Sequence, residues 1–386
     1  MSQRLAFAVP IALMACSSAP SATTEPGTTP FKIEEIATFD SPWAMTFLPD
    51  GRALVTEKAG KLVLFAPDGK SDDWDGKVTV QIPDGPVADS EGQGALMDVV
   101  LHPQFAKNGI VYLSWSEKAP DGKGVALGMG RLVEKQVVCV RAPCPAQASI
   151  QDFKTIFRAT PYVAGNGHYS GRIAFSPDGK YLFFTNGERQ KFDPAQDPKS
   201  TLGKVLRLNL DGTPAAGNPL AAKGFNPAIW SYGHRNLLGI AFDKDGRLWE
   251  QEMGPKGGDE VNLIEPGQNY GYPLASNGSH YDGRDIPDHK PGDGFEAPKV
   301  WWNPSISPSG LMIYSGKLFP KWQGDAFIGA LSGQALIRAD LDGANATKGD
   351  EWPMGARIRE VEQGPDGAIW LLQDKDGAKL LKLTPK

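Results

Sequence analysis

The sequence predicts an all-β fold, a six-bladed β-propeller of four-stranded antiparallel sheets. An apolar strand, an Asp-Gly turn and a second strand recur along the chain, and Asp-Gly supplies the positive φ that tight hairpins need. The 386 residues include 45 Gly and 32 Pro without low-complexity runs, which is typical of many short turns. No long helical periodicity interrupts these units, and irregular repeats of this kind indicate a propeller. The turns are Asp50-Gly51, Asp178-Gly179, Asp245-Gly246 and Asp366-Gly367.

Six segments are predicted as inner strands, one for each blade. The segment Phe31 to Thr38 is a further strand, which we expect to complete the last blade and close the ring. The segment Ala275 to Pro298 is rich in Gly, Asp and Pro, and it predicts a long loop on the functional face. A pair of β-sandwiches is the structural alternative. The six inner strands are predicted to begin at Trp43, Ala95, Gly171, Leu238, Leu311 and Arg359.

The charge balance points away from nucleic acid as a partner. The chain has 40 Lys and Arg against 45 Asp and Glu, a net charge of −5. A nucleic-acid-binding protein usually carries a basic face, so small molecules are the expected ligands.

The N-terminus predicts export. Residues 1–15 contain a short basic start and an apolar stretch, Leu5 to Ala15, which is too short to span a bilayer as an ordinary helix. With Cys16 after it, this segment resembles a bacterial lipoprotein signal, whose cysteine is lipidated. We expect a periplasmic protein anchored to the outer membrane through Cys16, a flexible tether over residues 16–30 and one domain over 31–386. An ordinary secretory signal cut nearby is the alternative.

Two further cysteines, Cys139 and Cys144, lie five residues apart. Because an exported protein meets an oxidising compartment, we expect a local disulfide at a hairpin tip.

His168 and Glu188 are candidate catalytic residues. His168 lies in a glycine-rich entry to an inner strand, where its ring would face the propeller axis and could take a proton near neutral pH. Glu188 ends the strand that pairs with the His168 strand, and a carboxylate there could orient the imidazole. Each residue also has a plainer interpretation, a histidine filling a turn and a solvated surface acid.

Three arginines predict an anionic ligand at the hub. Arg235 stands beside Asn236, and guanidinium groups bind carboxylates in bidentate fashion. Arg357 and Arg359 alternate with an apolar residue, so a strand places both on one face, where they repel unless an anion lies between them. Surface arginines on an outer strand are the alternative.

A turn that exposes carbonyl oxygens beside acidic side chains suits calcium. Gly254 and Pro255 offer such carbonyls, and Asp259, Glu260 and Tyr270 form a second candidate calcium site. Acidic loops without a metal are common, so this reading stays open.

These residues together resemble the soluble pyrroloquinoline-quinone (PQQ) dependent sugar dehydrogenases, in particular the bacterial aldose sugar dehydrogenase branch. The similarity runs from about Trp43 to the C-terminus, and that family is a six-bladed propeller. The resemblance is carried by Gly92-Gln93-Gly94, His168 before Gly171-Arg172, Ala195-Gln196-Asp197, Tyr232 to Asn236, Glu252 to Glu260, Ser307-Pro308-Ser309-Gly310 and Arg357-Ile358-Arg359.

The resemblance implies that His168 is the general base that takes the proton of the sugar's anomeric hydroxyl. Hydride then passes from the anomeric carbon to PQQ and leaves a lactone, while Arg235 polarises the quinone oxygen. Gly254 and Pro255 would hold the calcium ion of the cofactor, and Asp259, Glu260 and Tyr270 would match the family's second calcium region. The implied PQQ-binding residues are Gln93, Arg235, Asn236, Ser305, Arg357 and Arg359.

The chain departs from the family pattern at Ser332, where many members have a cofactor-binding lysine, and loss of that charge should weaken PQQ binding. Glucose-specific relatives dimerise, so a homodimer is a further expectation, and the electron acceptor would be a periplasmic cytochrome or a quinone. Two other functions remain open: a calcium-dependent propeller hydrolase such as a lactonase, and a sugar-binding propeller without catalysis.

Overall fold

The structure is a computed structural model, and it describes residues 29–68, 75–135 and 147–386. In these residues, six four-stranded antiparallel sheets surround a hub, so the prediction of a six-bladed β-propeller is confirmed. In five of the sheets the strands follow chain order from the hub outward, and the sixth ends on the N-terminal strand, β1 (Phe31–Phe39).

The first three blades occupy the N-terminal half. Blade one contains β2 (Pro42–Phe47), β3 (Ala53–Glu57), β4 (Lys61–Phe65) and β5 (Lys77–Val80). Blade two contains β6 (Leu96–Leu101), β7 (Ile110–Ala119), β8 (Gly122–Lys135) and β9 (Gln147–Arg158). Blade three contains β10 (Ser170–Phe175), β11 (Tyr181–Asn186), β12 (Lys204–Asn209) and β13 (Ile229–Tyr232).

The other blades follow in the same way, with one small side sheet. Blade four begins with β14 (Leu237–Phe242) and β15 (Leu248–Glu252); the side sheet pairs β16 (Lys256–Gly257) with a strand further along the chain. Blade four continues with β17 (Asp259–Leu263); β18 (Gly278–Ser279) completes the side sheet, and β19 (Val300–Trp302) completes the blade. Blade five contains β20 (Pro308–Ile313), β21 (Ala326–Ala330), β22 (Ala335–Asp342) and β23 (Asn345–Pro353). Blade six contains β24 (Ile358–Gln363), β25 (Ile369–Gln373) and β26 (Ala378–Pro385).

Helical structure is short and peripheral in the described residues. One α-helical turn, α1 (Phe105–Asn108), precedes β7, and three 3₁₀ turns cover Asp193–Ala195, Ala221–Lys223 and Pro320–Trp322.

Strand β1 closes the ring, as the sequence predicts. It pairs with β26, so the last blade combines both ends of the described chain. A propeller closed in this way leaves fewer exposed strand edges, which limits aggregation through unpaired backbone.

A buried polar side chain on the second strand of each of the first four blades bonds to the next blade. Each donates to a main-chain carbonyl at or beside the next inner strand, and a buried hydrogen bond of this kind contributes about 1 kcal/mol net. These bonds fix how far neighbouring inner strands are offset, and so they shape the hub. The pairs are Thr56 with Met97, Ser114 with Gly171, Thr185 with Leu237 and Gln251 with Ser309.

The middle of the hub is filled by Arg172. Its guanidinium bonds to Glu360, to Asp98 at 3.4 Å and to the carbonyl of Leu238, and it lies 4.2 Å from the ring centre of Trp43. Inner strands from different blades are therefore tied through one buried cation.

Several predictions fall outside the described residues: the signal segment 1–15, the lipid anchor at Cys16, most of the tether, and the disulfide between Cys139 and Cys144. Strands β8 and β9 lie on either side of the two cysteines. Among the described residues, no helix is long and apolar enough to cross a membrane.

Candidate active site

Two cavities adjoin at the end of the hub where the inner strands begin, and Tyr281 lines both of them. The larger has a volume of about 600 Å³, and Gln93, Asn236, Arg357 and Arg359 contribute to its walls. The smaller has a volume of about 270 Å³. His168, Glu188 and Arg235 line the smaller cavity, so most of the residues selected from the sequence come together.

His168 and Glu188 form a buried pair. The Nδ1 atom of His168 contacts Oε1 of Glu188, and the two residues are 6% and 0% exposed. The other carboxylate oxygen, Oε2, accepts hydrogen bonds from the main-chain N–H groups of Lys191 and Phe192. Glu188 is therefore held in place from both sides, and it fixes the plane of the imidazole ring.

The backbone around this pair adopts positive φ at several residues that are not glycine. His168 has φ 51° and Ser170 has φ 62°, and Arg189, Gln190 and Phe192 on the facing loop have φ of 60–63°. Such conformations are uncommon and persist where the surrounding structure holds them. One restraint is visible: the main-chain N–H of His168 donates to Oε1 of Gln93 at 2.7 Å.

Burial sets the protonation states of the pair. Loss of solvent lowers the pKa of His168 below its ordinary value of 6.5; the bond to Glu188 opposes this shift, and the charge of Arg235 adds to it. Burial alone would raise the pKa of Glu188, but the bond to His168 and the N–H of Phe192 hold that pKa below its usual range. A neutral imidazole beside a carboxylate is ready to accept a proton at neutral pH.

The pKa of His168 can be measured in the cofactor-free protein. Because burial disfavours the imidazolium, we expect His168 to titrate below pH 6.5 in a histidine NMR titration. In Glu188→Gln the midpoint should fall further, since the charge that favours the imidazolium is removed. A midpoint at or above 6.5 in the unaltered protein would contradict this account.

Arg235 lies at the boundary between the cavities. Its Nη1 donates to the carbonyls of Met253 and Gly254, and its Nη2 lies 3.4 Å from the hydroxyl of Tyr281. Its buried Nε has no hydrogen-bond partner among the described residues. A buried guanidinium with a donor left over indicates room for an acceptor.

Arg357 and Arg359 do lie on one face, and a carboxylate lies between them. Arg357 donates from Nε to Asp374 at 2.7 Å, and Arg359 donates to Asp374 through Nε and Nη2. Asp374 also lines the larger cavity. The sequence indicates that these two arginines require an anion, but it does not identify Asp374 as one that the fold supplies.

Gln93 and Asn236, two predicted cofactor-binding residues, line the larger cavity. The main-chain N–H groups of Arg235 and Asn236 donate to Glu252, whose other oxygen contacts His234. Glu252 therefore holds the turn that carries both residues. The sequence places Glu252 in a family motif but does not give this role, because Glu252 lies sixteen residues from Asn236, across the pairing of β14 with β15.

Ser305, a predicted cofactor-binding residue, lies away from the walls of the larger cavity, so its role stays a prediction. Its hydroxyl donates to Asp259 at 2.5 Å. Ser307 lines that cavity instead. Ser332, at the position of the family's lysine, does not line the larger cavity itself. Its hydroxyl lies 2.8 Å from that of Ser307, which does.

The candidate cofactor-calcium ligands lie beside Arg235. Pro255 lines the smaller cavity, and the carbonyl of Gly254 accepts from Arg235. A carbonyl oxygen has two lone pairs, so this bond leaves one for a cation.

The side chains of the second candidate calcium site have separate partners, and calcium binding there stays a prediction. Asp259 accepts from Ser305 and from the main-chain N–H groups of Gly254, Ile306 and Ser307, so it anchors a loop. Glu260 is the next residue of β17 and therefore faces the other side of the sheet. The hydroxyl of Tyr270 is engaged with the backbone of Leu263 and Glu265.

Fold and site together define a β-propeller protein with a small-molecule site at its hub. Residues 39–382 match the glucose/sorbosone dehydrogenase family. The chain belongs to this family, and the prediction of a sugar dehydrogenase is confirmed at that level.

Relatives within the family are similar over nearly the whole chain. Aldose sugar dehydrogenase YliI of Escherichia coli K12 is 38% identical over 359 residues, which cover 90% of this chain and 91% of that protein. The apo-form crystal structure of the soluble E. coli aldose sugar dehydrogenase superposes with a TM-score of 0.83 at 37% identity, covering 92% of this chain and 100% of that one. The structure of the PQQ-bound aldose sugar dehydrogenase of Streptomyces coelicolor superposes with a TM-score of 0.70 at 28% identity. The match covers 94% of this chain and 100% of that one.

Proposed function

We propose that the protein is a PQQ- and calcium-dependent aldose dehydrogenase, which oxidises sugars at the anomeric carbon to lactones. The observation that carries the proposal is the position of the His168–Glu188 pair, in a cavity that adjoins a larger cavity lined by arginines. A proton acceptor beside an anion-binding pocket is the arrangement that hydride transfer to an anionic cofactor needs.

The residues present fit PQQ, a planar tricarboxylate. The larger cavity, at about 600 Å³, is within the range of roughly 300–1,000 Å³ for small-molecule sites. Arg357 and Arg359 share one carboxylate, so their remaining N–H groups can bind further carboxylates. The unpartnered Nε of Arg235 offers another donor. Gln93 and Asn236 would complete the polar walls.

Calcium would be held by the carbonyl oxygens of Gly254 and Pro255. Both residues lie beside Arg235, at the junction of the two cavities. Carbonyl oxygens are hard ligands of the kind that calcium prefers.

Residues of this chain would accept the proton that leaves the sugar. The bond between Nδ1 and Glu188 leaves Nε2 of His168 as the atom that takes the proton of the anomeric hydroxyl. Glu188 then stabilises the imidazolium, and the guanidinium of Arg235 stabilises negative charge at the boundary of the cavities, worth about 3 kcal/mol per donor. When bound, PQQ supplies the quinone that accepts the hydride.

The function is tested by reconstitution. Purified cofactor-free protein, given PQQ and Ca²⁺, should reduce a dye when aldoses are added, and the cofactor spectrum should appear. Absence of dye reduction with every sugar, together with no bound-cofactor spectrum, would refute the proposal.

Aromatic side chains around the smaller cavity favour a sugar as substrate. Phe192, Tyr272, His280 and Tyr281 line it, and Phe192 and Tyr281 are 41% and 73% exposed. Phe192 lies edge-on to His280, with ring centres 5.5 Å apart. Exposed aromatic faces beside polar groups suit a sugar ring, which has apolar faces and hydroxylated edges.

Phe192→Ala should raise KM more than it lowers kcat. A sugar ring covering about 50 Å² of apolar surface at about 25 cal/mol per Å² gains about 1.3 kcal/mol, which is roughly tenfold in kcat/KM. Steady-state kinetics with several aldoses would measure this effect. Tyr181→Ala serves as a control, since Tyr181 packs on a blade away from both cavities; equal losses in the two variants would remove Phe192 from the substrate site.

The hydrolase alternative predicts acids and asparagines that converge on one axial metal. On the axis, Asp98 and Glu360 instead both bond to the guanidinium of Arg172, which occupies the place of an axial metal. This arrangement favours the dehydrogenase over a hub-metal hydrolase.

Export, the outer-membrane anchor at Cys16, the periplasmic electron acceptor and a homodimer stay predictions from the sequence. Membrane fractionation of a Cys16→Ser variant would test the anchor, because loss of the lipidated cysteine should release the protein.

A further inference from the structure

Behind the turn that carries Arg235 lies a buried cluster of three ionisable side chains. Ligand atoms of His234, Glu250 and Glu252 all lie within 4.8 Å of one another, and the residues are 0%, 0% and 3% exposed. Strand β15 presents both glutamates on one face, since they are two residues apart. The cluster is separate from both cavities, which these residues do not line.

The cluster contains more negative charge than the surrounding protein neutralises. Glu260 on β17 faces Glu252 directly across the strand pair, so a third carboxylate adjoins the cluster. Within the described residues, no lysine or arginine forms an ion pair with Glu250, Glu252 or Glu260. Buried carboxylates without a counter-ion are strongly disfavoured, so the cluster must take up either protons or a cation.

Two of the buried oxygen atoms that lack hydrogen-bond partners in the described structure belong to the cluster and to its neighbour: Oε1 of Glu250 and Oδ1 of Asn262. Asn262 pairs with Glu250 across the strands, and its Nδ2 donates to Oε2 of Glu250 at 3.2 Å, which orients the carboxylate. Buried acceptors are rarely left alone in folded proteins. An acidic cluster beside an unsatisfied amide oxygen therefore indicates that a cation binds there.

The histidine indicates which kind of cation fits the cluster. Nδ1 of His234 lies 3.0 Å from Oε1 of Glu252, close to the spacing of two neighbouring ligands around a cation with bonds of about 2.1 Å. Nε2 contacts the hydroxyl of Ser231, which can accept its proton and leave Nδ1 free to bind a metal. The ring of Tyr270 stacks on His234 at 4.5 Å and covers this side.

We propose that His234, Glu250 and Glu252 bind one divalent metal ion that takes imidazole as well as carboxylate ligands, such as Zn²⁺ or Mn²⁺. The proposed ligands and the metal class differ from those of the predicted calcium site at Asp259, Glu260 and Tyr270, although Glu260 and Tyr270 border the cluster. Glu252 also accepts from the main chain of Arg235 and Asn236, so the metal would stiffen the turn that carries both residues. The site goes beyond the proposed function and does not depend on PQQ.

The test uses the full exported chain without PQQ, so that it is independent of sugar oxidation. The protein is stripped with a chelator, loaded separately with Zn²⁺, Mn²⁺ or Ca²⁺, desalted, and assayed for bound metal and for Tm. We expect one Zn²⁺ or Mn²⁺ per chain and a raised Tm. Loading with Co²⁺ should give a visible absorption band, which reports nitrogen and oxygen ligands.

Glu250→Gln keeps the side-chain shape and removes one ligand charge, so metal affinity should fall at least tenfold and the Co²⁺ band should weaken. Glu362→Gln is the matched control, because Glu362 is a glutamate that lines the hub outside the cluster. Failure of the unaltered protein to retain Zn²⁺ or Mn²⁺ would overturn the site, as would retention of Ca²⁺ alone. Equal metal affinity in Glu250→Gln and Glu362→Gln would also overturn the site. If Glu250→Gln does not fold, the metal stoichiometry and the Co²⁺ band of the unaltered protein decide the question.

Discussion

His168→Asn is expected to abolish nearly all sugar oxidation while leaving PQQ bound. General base catalysis contributes about 10²–10⁴-fold, and asparagine cannot accept the proton that Nε2 of His168 takes. Asparagine is the suitable replacement because residue 168 has φ 51°, a conformation that asparagine tolerates better than most residues. Its main-chain N–H can still donate to Gln93. Turnover would be followed by dye reduction, and PQQ affinity by titration of the cofactor spectrum.

Glu188→Gln separates the base from the residue that positions it. Glutamine still accepts from Lys191 and Phe192, so the loop should hold, but the imidazolium loses its stabilising charge. We expect a smaller loss of kcat than in His168→Asn. Near-normal turnover in His168→Asn would show that another group accepts the proton.

The double variant Arg357→Ala with Arg359→Ala is expected to lose most of its PQQ affinity. Charge-assisted hydrogen bonds are worth about 1.5–3 kcal/mol each, so loss of one from each arginine costs about 3–6 kcal/mol, or at least about 100-fold in Kd. Arg359 should dominate, because its side chain is 16% exposed and that of Arg357 is 45% exposed. Isothermal titration with PQQ would measure the change.

Asp374 complicates that experiment and also supplies its control. Removal of both arginines leaves a carboxylate facing the larger cavity, which would itself repel an anion. Adding Asp374→Asn to the double variant removes this repulsion, so affinity should recover in part but stay well below that of the unaltered protein. Unchanged affinity in the double variant would mean that the guanidinium groups do not contact the cofactor.

Much of the fold was predictable because its signals are local. Asp245-Gly246 and Asp366-Gly367 each mark a hairpin within about ten residues, and the alternation on each side marks strands. The inner strands begin within a few residues of the predicted positions, and β1 closes the last blade as expected. The number of blades follows from the number of repeated hairpin units, which can be counted in the sequence alone.

The site was predictable only in part. The pairing of His168 with Glu188 and the shared face of Arg357 and Arg359 follow from strand pairing and from the two-residue period of a strand. The sequence does not indicate Asp374, and it places Ser307 and Glu252 in family motifs without giving either residue a role. Each of these is brought to the site by a partner strand or loop whose register the sequence does not specify.

The sequence by itself determined the repeating hairpins, their number, the family to which the motifs belong and the residue types gathered near the hub. Only the tertiary structure decided that Asp259 anchors a loop while Glu260 faces the other way, and that Ser307 rather than Ser305 borders the larger cavity. The reason is physical: turn and strand preferences act between neighbours in the chain, whereas side-chain partners depend on how closed blades are offset around the hub.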